Sequence, residues 1–141
     1  MVAGSLLLQN PPCPHVIFIC THLLINNERQ TSIVDGPDGR IVSVASRGGE
    51  QQVGQLAAYC AAKAGVVALT KAIADETKGT NITGNTVLPS AIDPPTNRSA
   101  MNSENAHQWV KPQSLAQVIC FLGSEAAKDV RGTAMAVCGS I

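Results

Sequence analysis

The chain has 141 residues, which is enough for one domain but short for the larger globular folds. Hydrophobic residues make up 45% and charged residues 14% of it, a balance that indicates a buried core and excludes a largely disordered chain. The formal net charge is zero, so the excess of basic residues typical of nucleic-acid-binding proteins is missing. The longest apolar run, within residues 16–25, is too short to span a bilayer, and the first residues lack the basic residues of a secretory signal. We therefore expect a cytoplasmic protein that contacts neither nucleic acid nor a membrane.

The cysteines are odd in number and include no Cys-x-x-Cys pair, so we expect free, mostly buried thiols in a reducing compartment. They are Cys13, Cys20, Cys60, Cys120 and Cys138. Cys13 and Cys20 each stand two residues before a histidine, and such ligands suit zinc. The Val-Ile-Phe-Ile run between the two pairs is more typical of a core than of a metal-binding turn, so we predict no metal site.

The amino-terminal residues 1–38 give the weakest signals in the chain. Residues 10–14 are rich in proline and indicate a turn or an extended segment. Residues 16–26 form an apolar run whose length fits either a short buried helix or a strand. The Asp-Gly-Pro-Asp-Gly stretch at 35–39 predicts a turn by composition.

The central part of the chain carries the clearest signals. Residues 41–45 are apolar and predict a buried parallel strand that ends just before Ser46, and residues 47–49 predict a loop. The alanine-rich residues 57–78 predict a long helix that stops at Gly79. Tyr59, the only tyrosine, and Lys63 are four positions apart and so share one helix face. An ammonium group close to a phenol favours the phenolate and suits proton transfer at a carbonyl or alcohol oxygen. The alternative interpretation is a half-buried core tyrosine beside a solvated lysine.

Three further elements follow. Residues 81–88 alternate polar and apolar side chains and predict a strand that leads to a proline-rich loop. Residues 112–123 predict an amphipathic helix with proline in its first turn, and residues 132–137 predict a short final strand. Trp109 is the only tryptophan, and we expect it to pack in the core rather than to line a substrate lid.

Residues 41–46, 58–70 and 85–89, taken in order, resemble the carboxyl-terminal half of the short-chain dehydrogenase/reductase (SDR) family over about residues 39–141. The family spacing Ser-x12-Tyr-x3-Lys is kept by Ser46, Tyr59 and Lys63. The resemblance implies an α/β fold with a partial Rossmann-like, doubly wound parallel sheet. It implies that Tyr59 is the general acid/base, that Lys63 binds the nicotinamide ribose and favours the phenolate, and that Ser46 hydrogen-bonds the substrate oxygen. It also favours a helix over a strand for residues 16–26.

The loop after residue 88 resembles the segment with which the family holds the nicotinamide carboxamide. The resemblance implies cofactor contacts at Pro89, Ser90 and Ile92, in addition to Tyr59 and Lys63. Ser90 stands where the family usually has glycine, and Pro94 stands where it has threonine. Residues 93–112 are also similar to the corresponding loop of dihydropteridine reductases.

The resemblance implies an oligomer as well, because the helix at 57–78 corresponds to a subunit-interface helix of the family. We expect a homodimer or homotetramer formed through this helix. The alternative is that its alanines pack inside one subunit.

The nucleotide-binding signature of the family is absent from the sequence. No Thr-Gly-x-x-x-Gly-x-Gly turn occurs, so we divide the chain into an unassigned segment, 1–38, and an SDR-like segment, 39–141, and we expect a truncated form. The first functional hypothesis is an NAD- or NADP-dependent oxidoreductase that acts on a small carbonyl or alcohol substrate. The second is a non-catalytic remnant that associates with a full-length relative through its alanine-rich helix. We predict that the isolated chain binds NADPH or NADH weakly or not at all.

Overall fold

The computed structural model describes residues 16–19, 38–51, 54–93 and 103–140, and these residues form four strands, two α-helices and three short 3-10 helices. The main elements are, in chain order, β1 (Val16–Ile19), β2 (Asp38–Val44), α1 (Ala57–Glu76), β3 (Asn81–Pro89), α2 (Pro112–Leu122) and β4 (Ala134–Val137). Short 3-10 helices occur at Arg47–Gly49, Ser103–Gln108 and Glu125–Ala127.

The four strands form one parallel sheet in the order β1-β2-β3-β4. In its register Val42 pairs with Asn85, and Leu88 pairs with Ala136. Because all four strands run in the same direction, their carboxyl ends meet at one end of the sheet, which is where ligands bind in open α/β sheets. The predicted α/β fold with a partial Rossmann-like parallel sheet is confirmed.

Helix α1 covers one face of the sheet. Because successive residues of an extended chain point to opposite faces, Ile41 of β2 and Ala45, just after β2, lie on the same side. Ile41 packs with Ile73 of α1, and Ala45 packs with Val67 of α1. Helix α2 covers the opposite face, where Val42 and Val87 pack with Leu115 and Leu122. The sheet is therefore wound on both sides, as the resemblance predicted.

A buried hydroxyl pair fixes α1 on β2. The Thr70 Oγ1 lies 2.8 Å from the Ser43 Oγ and 2.8 Å from the carbonyl oxygen of Val66, and Thr70 and Ser43 are both 1% exposed. On β3, a Cβ added to Gly84 would lie 3.3 Å from the carbonyl oxygen of Thr70. Because Gly84 has no side chain, α1 approaches the sheet closely, and this contact sets the distance between the helix and the sheet.

Several sequence predictions of secondary structure are corrected. Residues 16–19 form a strand paired with β2, so the preference for a helix over residues 16–26 was wrong there. The run is short and joins a buried parallel sheet, a case in which periodicity cannot separate a strand from a helix. Asp38 and Gly39 belong to β2 rather than to a turn, because both pair with the first residues of β3. Arg47–Gly49 forms a 3-10 helix rather than an irregular loop. The proline-rich segment at 10–14 lies outside the described residues.

The predicted helices and later strands are otherwise confirmed, with shifts of a few residues at their ends. Gly79 adopts a φ of 82°, which favours glycine, and it follows the end of α1 at Glu76. Helix α1 is long and apolar enough to cross a membrane by length and composition alone. Of its 18-residue apolar stretch, 28% is buried within the protein. Core and interface helices of soluble proteins meet the same two criteria.

Candidate active site

Ser46 lies just beyond β2, at the carboxyl end of the sheet. The preceding residue is tied to the neighbouring strand, since the Ala45 N–H donates to the carbonyl oxygen of Val87 at 3.0 Å. Ser46 itself is extended, with a φ of −166° and a ψ of 156°. Its Oγ accepts a hydrogen bond of 3.2 Å from the Gly48 N–H and so caps the Arg47–Gly49 turn. The side chain is thereby held at the place where the strand gives way to the turn.

Tyr59 and Lys63 lie together on the first turns of α1. The Lys63 Nζ is 5.6 Å from the centroid of the Tyr59 ring, which is within the range of a cation–π contact. Tyr59 is 46% exposed, so it lies at the surface and not in the core, where the alternative interpretation placed it. The spacing of four residues thus places a cation beside a phenol at the protein surface.

The Arg47–Gly49 turn joins these groups to Ser46. A Cβ added to Gly48 would lie 3.3 Å from the Tyr59 Cε1, and a Cβ added to Gly49 would lie 3.0 Å from both the backbone C and O of Lys63. The turn that Ser46 caps therefore packs directly on α1 at the two residues of the pair. Sequence reasoning treated this stretch as a loop and missed its role. Two adjacent glycines just after the predicted serine were the available signal.

The predicted cofactor residues lie at the ends of β3 and β4. Pro89 is the last residue of β3 and pairs with Val137. Ser90 donates its N–H to the carbonyl oxygen of Val137 at 3.0 Å and its Oγ–H to that of Cys138 at 2.8 Å. Ile92 forms a parallel bridge with Val110 and packs at the edge of the α2-side core. All three residues thus belong to the same end of the sheet as Ser46.

Trp109 is 7% exposed, which confirms that it packs in the core rather than in a lid. Of the cysteines within the described residues, Cys60 is buried, Cys138 is half-buried and Cys120 is exposed, so the expectation of mostly buried thiols holds only in part. Cys120 is exposed because it lies on the outer side of the amphipathic α2. The Cys13 and Cys20 pairs and residues 94–102 of the dihydropteridine reductase-like loop lie outside the described part of the chain. Within that part, no group of three metal-ligating side chains occurs.

A polar groove of about 320 Å³ lies at the opposite, amino end of the strands. Both cationic and anionic side chains line it, and they are Asp38, Arg40, Glu125, Lys128, Asp129 and Arg131. Arg40 pairs with Glu125 at 2.9 Å, while Arg131 donates to backbone carbonyl groups. Arg40 and Arg131 thus hold the amino ends of the strands.

Comparison with known proteins identifies relatives of this chain. Residues 17–139 match the model of a family described as enoyl-(acyl carrier protein) reductase. The chain is 32% identical over 111 residues to 3-oxoacyl-[acyl-carrier-protein] reductase MabA of Mycobacterium tuberculosis, covering 73% of this chain and 45% of the relative.

Solved structures agree with the sequence relatives. A variant of actinorhodin polyketide ketoreductase with NADPH is 34% identical, with a TM-score of 0.66, and the match covers 73% of this chain and 47% of that one. A 4-hydroxyisoleucine dehydrogenase complexed with NADH is 31% identical, with a TM-score of 0.62 and coverages of 72% and 45%. The chain spans about half the length of the relatives that it matches.

The family match begins at residue 17, well before the residue 39 from which the sequence motifs were traced. Residues 17–19 of strand β1, which pairs with β2, lie within this additional stretch. The parallel sheet and the Ser-Tyr-Lys spacing agree with these matches. The chain belongs to the short-chain dehydrogenase/reductase family.

Proposed function

We propose that the chain works in the cytoplasm as an NAD- or NADP-dependent oxidoreductase of the short-chain type. In this proposal a carbonyl carbon gains a hydride, and its oxygen gains a proton from Tyr59, to give an alcohol; oxidation of the alcohol reverses both transfers. The observation that carries the proposal is the Tyr59–Lys63 pair packed against the turn that Ser46 caps. The arrangement supports the proposal because it brings a phenol, a cation and a hydroxyl to the carboxyl end of a parallel sheet.

Tyr59 is the proposed general acid and base. Tyr59 is 46% exposed, so in this proposal a substrate can reach its side chain from the protein surface. The ammonium group of Lys63, 5.6 Å from the ring centroid, stabilises negative charge on the phenol when the proton has been given up. A positioned acid of this kind contributes roughly 10²–10⁴-fold to a rate.

Ser46 is the proposed substrate-binding hydroxyl. The Gly48 N–H already donates to its Oγ, which fixes the position of the oxygen. The Ser46 hydroxyl can then donate its own proton to a carbonyl oxygen of the substrate and polarise it.

Pro89, Ser90 and Ile92 are the proposed contacts of the nicotinamide, together with Tyr59 and Lys63. A bound nicotinamide ring supplies or accepts the hydride. Ile92 is only partly buried, which leaves part of its apolar side chain available to a nicotinamide ring. Solved relatives hold either NADPH or NADH, so both dinucleotides should be tested.

The test is consumption of NADPH or NADH by the purified chain with a 3-oxoacyl thioester, the kind of substrate named for the MabA relative. We expect Tyr59→Phe to reduce turnover by roughly 10²–10⁴-fold. Circular dichroism and the unfolding midpoint should stay unchanged, because the substitution removes only an exposed hydroxyl. Equal turnover by the variant and the unchanged chain would refute the role of Tyr59.

The prediction that the isolated chain binds the dinucleotide weakly is tested separately, by titration with NADPH while its fluorescence is recorded. Low-micromolar affinity would overturn that prediction and support catalysis by the chain alone. Absence of binding would favour the second candidate function.

The second candidate is association through α1, either with another copy or with a full-length relative. An exposed stripe of small residues on this helix favours it, and the stripe consists of Ala57, Ala58, Ala61, Ala62, Gly65, Ala68 and Ala72. Only 28% of the 18-residue apolar stretch of α1 is buried in the single chain. A smooth helix face of this kind allows another helix to approach closely.

Light scattering on a sizing column tests this association. We expect Ala68→Glu to shift the chain to a lower molar mass, since a charge in the middle of the stripe opposes burial. Ala126→Glu is the matched control, because it makes the same change at an exposed alanine outside α1. A molar mass that neither substitution alters would contradict the interface.

A further inference from the structure

The loop at 90–93, which follows β3, is held from two sides. On the first side it is tied to the end of β4, through the two hydrogen bonds that Ser90 donates to the carbonyl oxygens of Val137 and Cys138. These bonds continue the pairing of Pro89 with Val137 by one residue beyond the strands. The loop therefore leaves the sheet in a fixed direction.

On its second side the loop pairs with the segment before α2. The Val110 N–H donates to the carbonyl oxygen of Ala91 at 2.9 Å, and the Asp93 N–H donates to that of Val110 at 3.0 Å. These two bonds form the parallel bridge between Ile92 and Val110. They fix the backbone on both sides of Ile92.

A third contact closes the ring of segments. The Ser140 N–H donates to the carbonyl oxygen of Gln108 at 2.9 Å. Gly139 has a φ of 67°, and a Cβ added there would lie 2.3 Å from the same carbonyl oxygen. Only glycine fits this crossing. We call the three segments together, residues 90–93, 108–110 and 137–140, the carboxyl-end brace.

Ser90 contributes a hydrogen bond to this brace through its side chain, whereas the other bonds described above join backbone groups. A serine hydroxyl has a single proton, and that of Ser90 is donated to the Cys138 carbonyl oxygen at 2.8 Å. The hydroxyl can still accept a hydrogen bond from a ligand, but its donor capacity is used within the protein.

We propose that Ser90 is a positioning residue, whose hydroxyl fastens the 90–93 loop to the end of β4 and thereby sets the location of Ile92 at the nicotinamide site. The proposal rests on the proposed function for the role of Ile92. The fastening itself is a property of this chain that can be measured without any cofactor.

Trp109 makes that measurement direct, because it is the only tryptophan and it lies inside the brace. We expect Ser90→Ala to stay folded by circular dichroism but to show stronger quenching of Trp109 fluorescence by acrylamide in the native state. Its folding equilibrium constant should fall roughly two- to tenfold, as for one neutral hydrogen bond. Ser124→Ala is the matched control, since the Ser124 Oγ also donates to a backbone carbonyl oxygen, at 2.7 Å, but outside the brace. Ser124→Ala should leave the quenching unchanged.

Equal quenching in the unchanged chain and in Ser90→Ala would overturn the proposal, as would equal increases in Ser90→Ala and Ser124→Ala. If Ser90→Ala does not fold, Ser90→Thr and Ser90→Val decide the question, because they have nearly the same shape and only threonine keeps the hydroxyl. The proposal is supported if Trp109 is quenched as in the unchanged chain in Ser90→Thr but more strongly in Ser90→Val. Equal quenching in the two variants contradicts it.

A titration with NADH separates this proposal from the proposed function. If the unchanged chain binds NADH, Ser90→Ala should bind it more weakly and Ser124→Ala should bind it equally well. Unaltered affinity in Ser90→Ala, despite increased quenching, would overturn the positioning of the nicotinamide site. If the unchanged chain binds neither NADH nor NADPH, the cofactor part of the proposed function fails, while the quenching experiment still decides whether Ser90 fastens the loop.

Discussion

The two ends of the sheet carry different kinds of residues. At the amino end, charged side chains hold the chain together: Arg131 donates to the carbonyl oxygens of Thr77, Thr80 and Ile82, and Arg40 pairs with Glu125. At the carboxyl end, the groups around Ser46 are hydroxyls, glycines, an exposed phenol and the Lys63 ammonium group. The charges of the amino end thus join parts of the fold to one another, whereas the groups of the carboxyl end are the ones that we propose to meet a ligand. This difference can be tested by substitutions at each end.

Arg131→Ala should have the largest effect on stability. Its guanidinium joins the end of α1 to the start of β3 through three backbone carbonyl groups, two of which lie at 3.0 and 3.1 Å. Loss of such charge-assisted bonds should lower the free energy of unfolding by about 2–4 kcal/mol. Urea denaturation followed by Trp109 fluorescence measures it.

The control for Arg131→Ala is Lys128→Ala, which removes a positive charge from the same groove at an exposed residue. We expect this control to change the free energy of unfolding by less than about 0.5 kcal/mol. Equal losses in the two variants would show that the general charge of the groove matters, and not the carbonyl contacts of Arg131.

Gly49→Ala should have the second largest effect of these substitutions, and it acts at the carboxyl end. The added methyl group would lie 3.0 Å from the backbone C and O of Lys63, and neither atom can move without shifting α1. We expect a loss of about 1–3 kcal/mol, the usual cost of overpacking. In addition, the single ring signal of Tyr59 in a chain labelled with ¹³C-tyrosine should move, because the turn and the helix separate at the Tyr59–Lys63 pair.

Gly54→Ala is the matched control for Gly49→Ala, since a Cβ at Gly54 meets nothing within 4 Å. The Tyr59 ring signal should keep its position in this variant. It should also keep its position in Arg131→Ala, which acts at the other end of the sheet. A shift in all three variants would mean that the two ends are not independent.

Glu125→Gln should have the smallest effect. The Arg40–Glu125 pair is 2.9 Å long, but the Glu125 side chain is 79% exposed, so water screens the interaction. The expected loss in the free energy of unfolding is less than about 1 kcal/mol, and it should shrink as salt is added. A larger loss that is independent of salt would show that this pair is more strongly coupled to the fold than its exposure indicates.

The sequence predicted most of the central fold because its signals there are local. Strand β2, helix α1 and helix α2 each carry a run or a periodic pattern of apolar residues that specifies one element. For β3 the alternating pattern predicted the strand but not its burial. Thr83 and Asn85 are each exposed by 1% or less, on the side of the sheet that α2 covers. The helix that covers them is far away in the sequence.

The candidate site was predicted in part. The spacing of Tyr59 and Lys63 on one helix is enough to place them on the same face, and the structure places them so. The contact of Gly48 and Gly49 with that pair could not be predicted, because it depends on how closely the end of β2 approaches α1. Likewise, Ser90 was assigned to the cofactor by resemblance, and only the structure shows its hydrogen bond to Cys138, 48 positions away.

By itself, the sequence determined the elements and the groups able to do proton chemistry, since helical periodicity and side-chain type are properties of neighbouring residues. The tertiary structure decided what those groups meet. It set the height of α1 on the sheet through Gly84 and the Ser43–Thr70 pair, and it joined the three segments of the brace. These contacts link residues that are distant along the chain, and their distances follow from the packing of the whole sheet between its two helices.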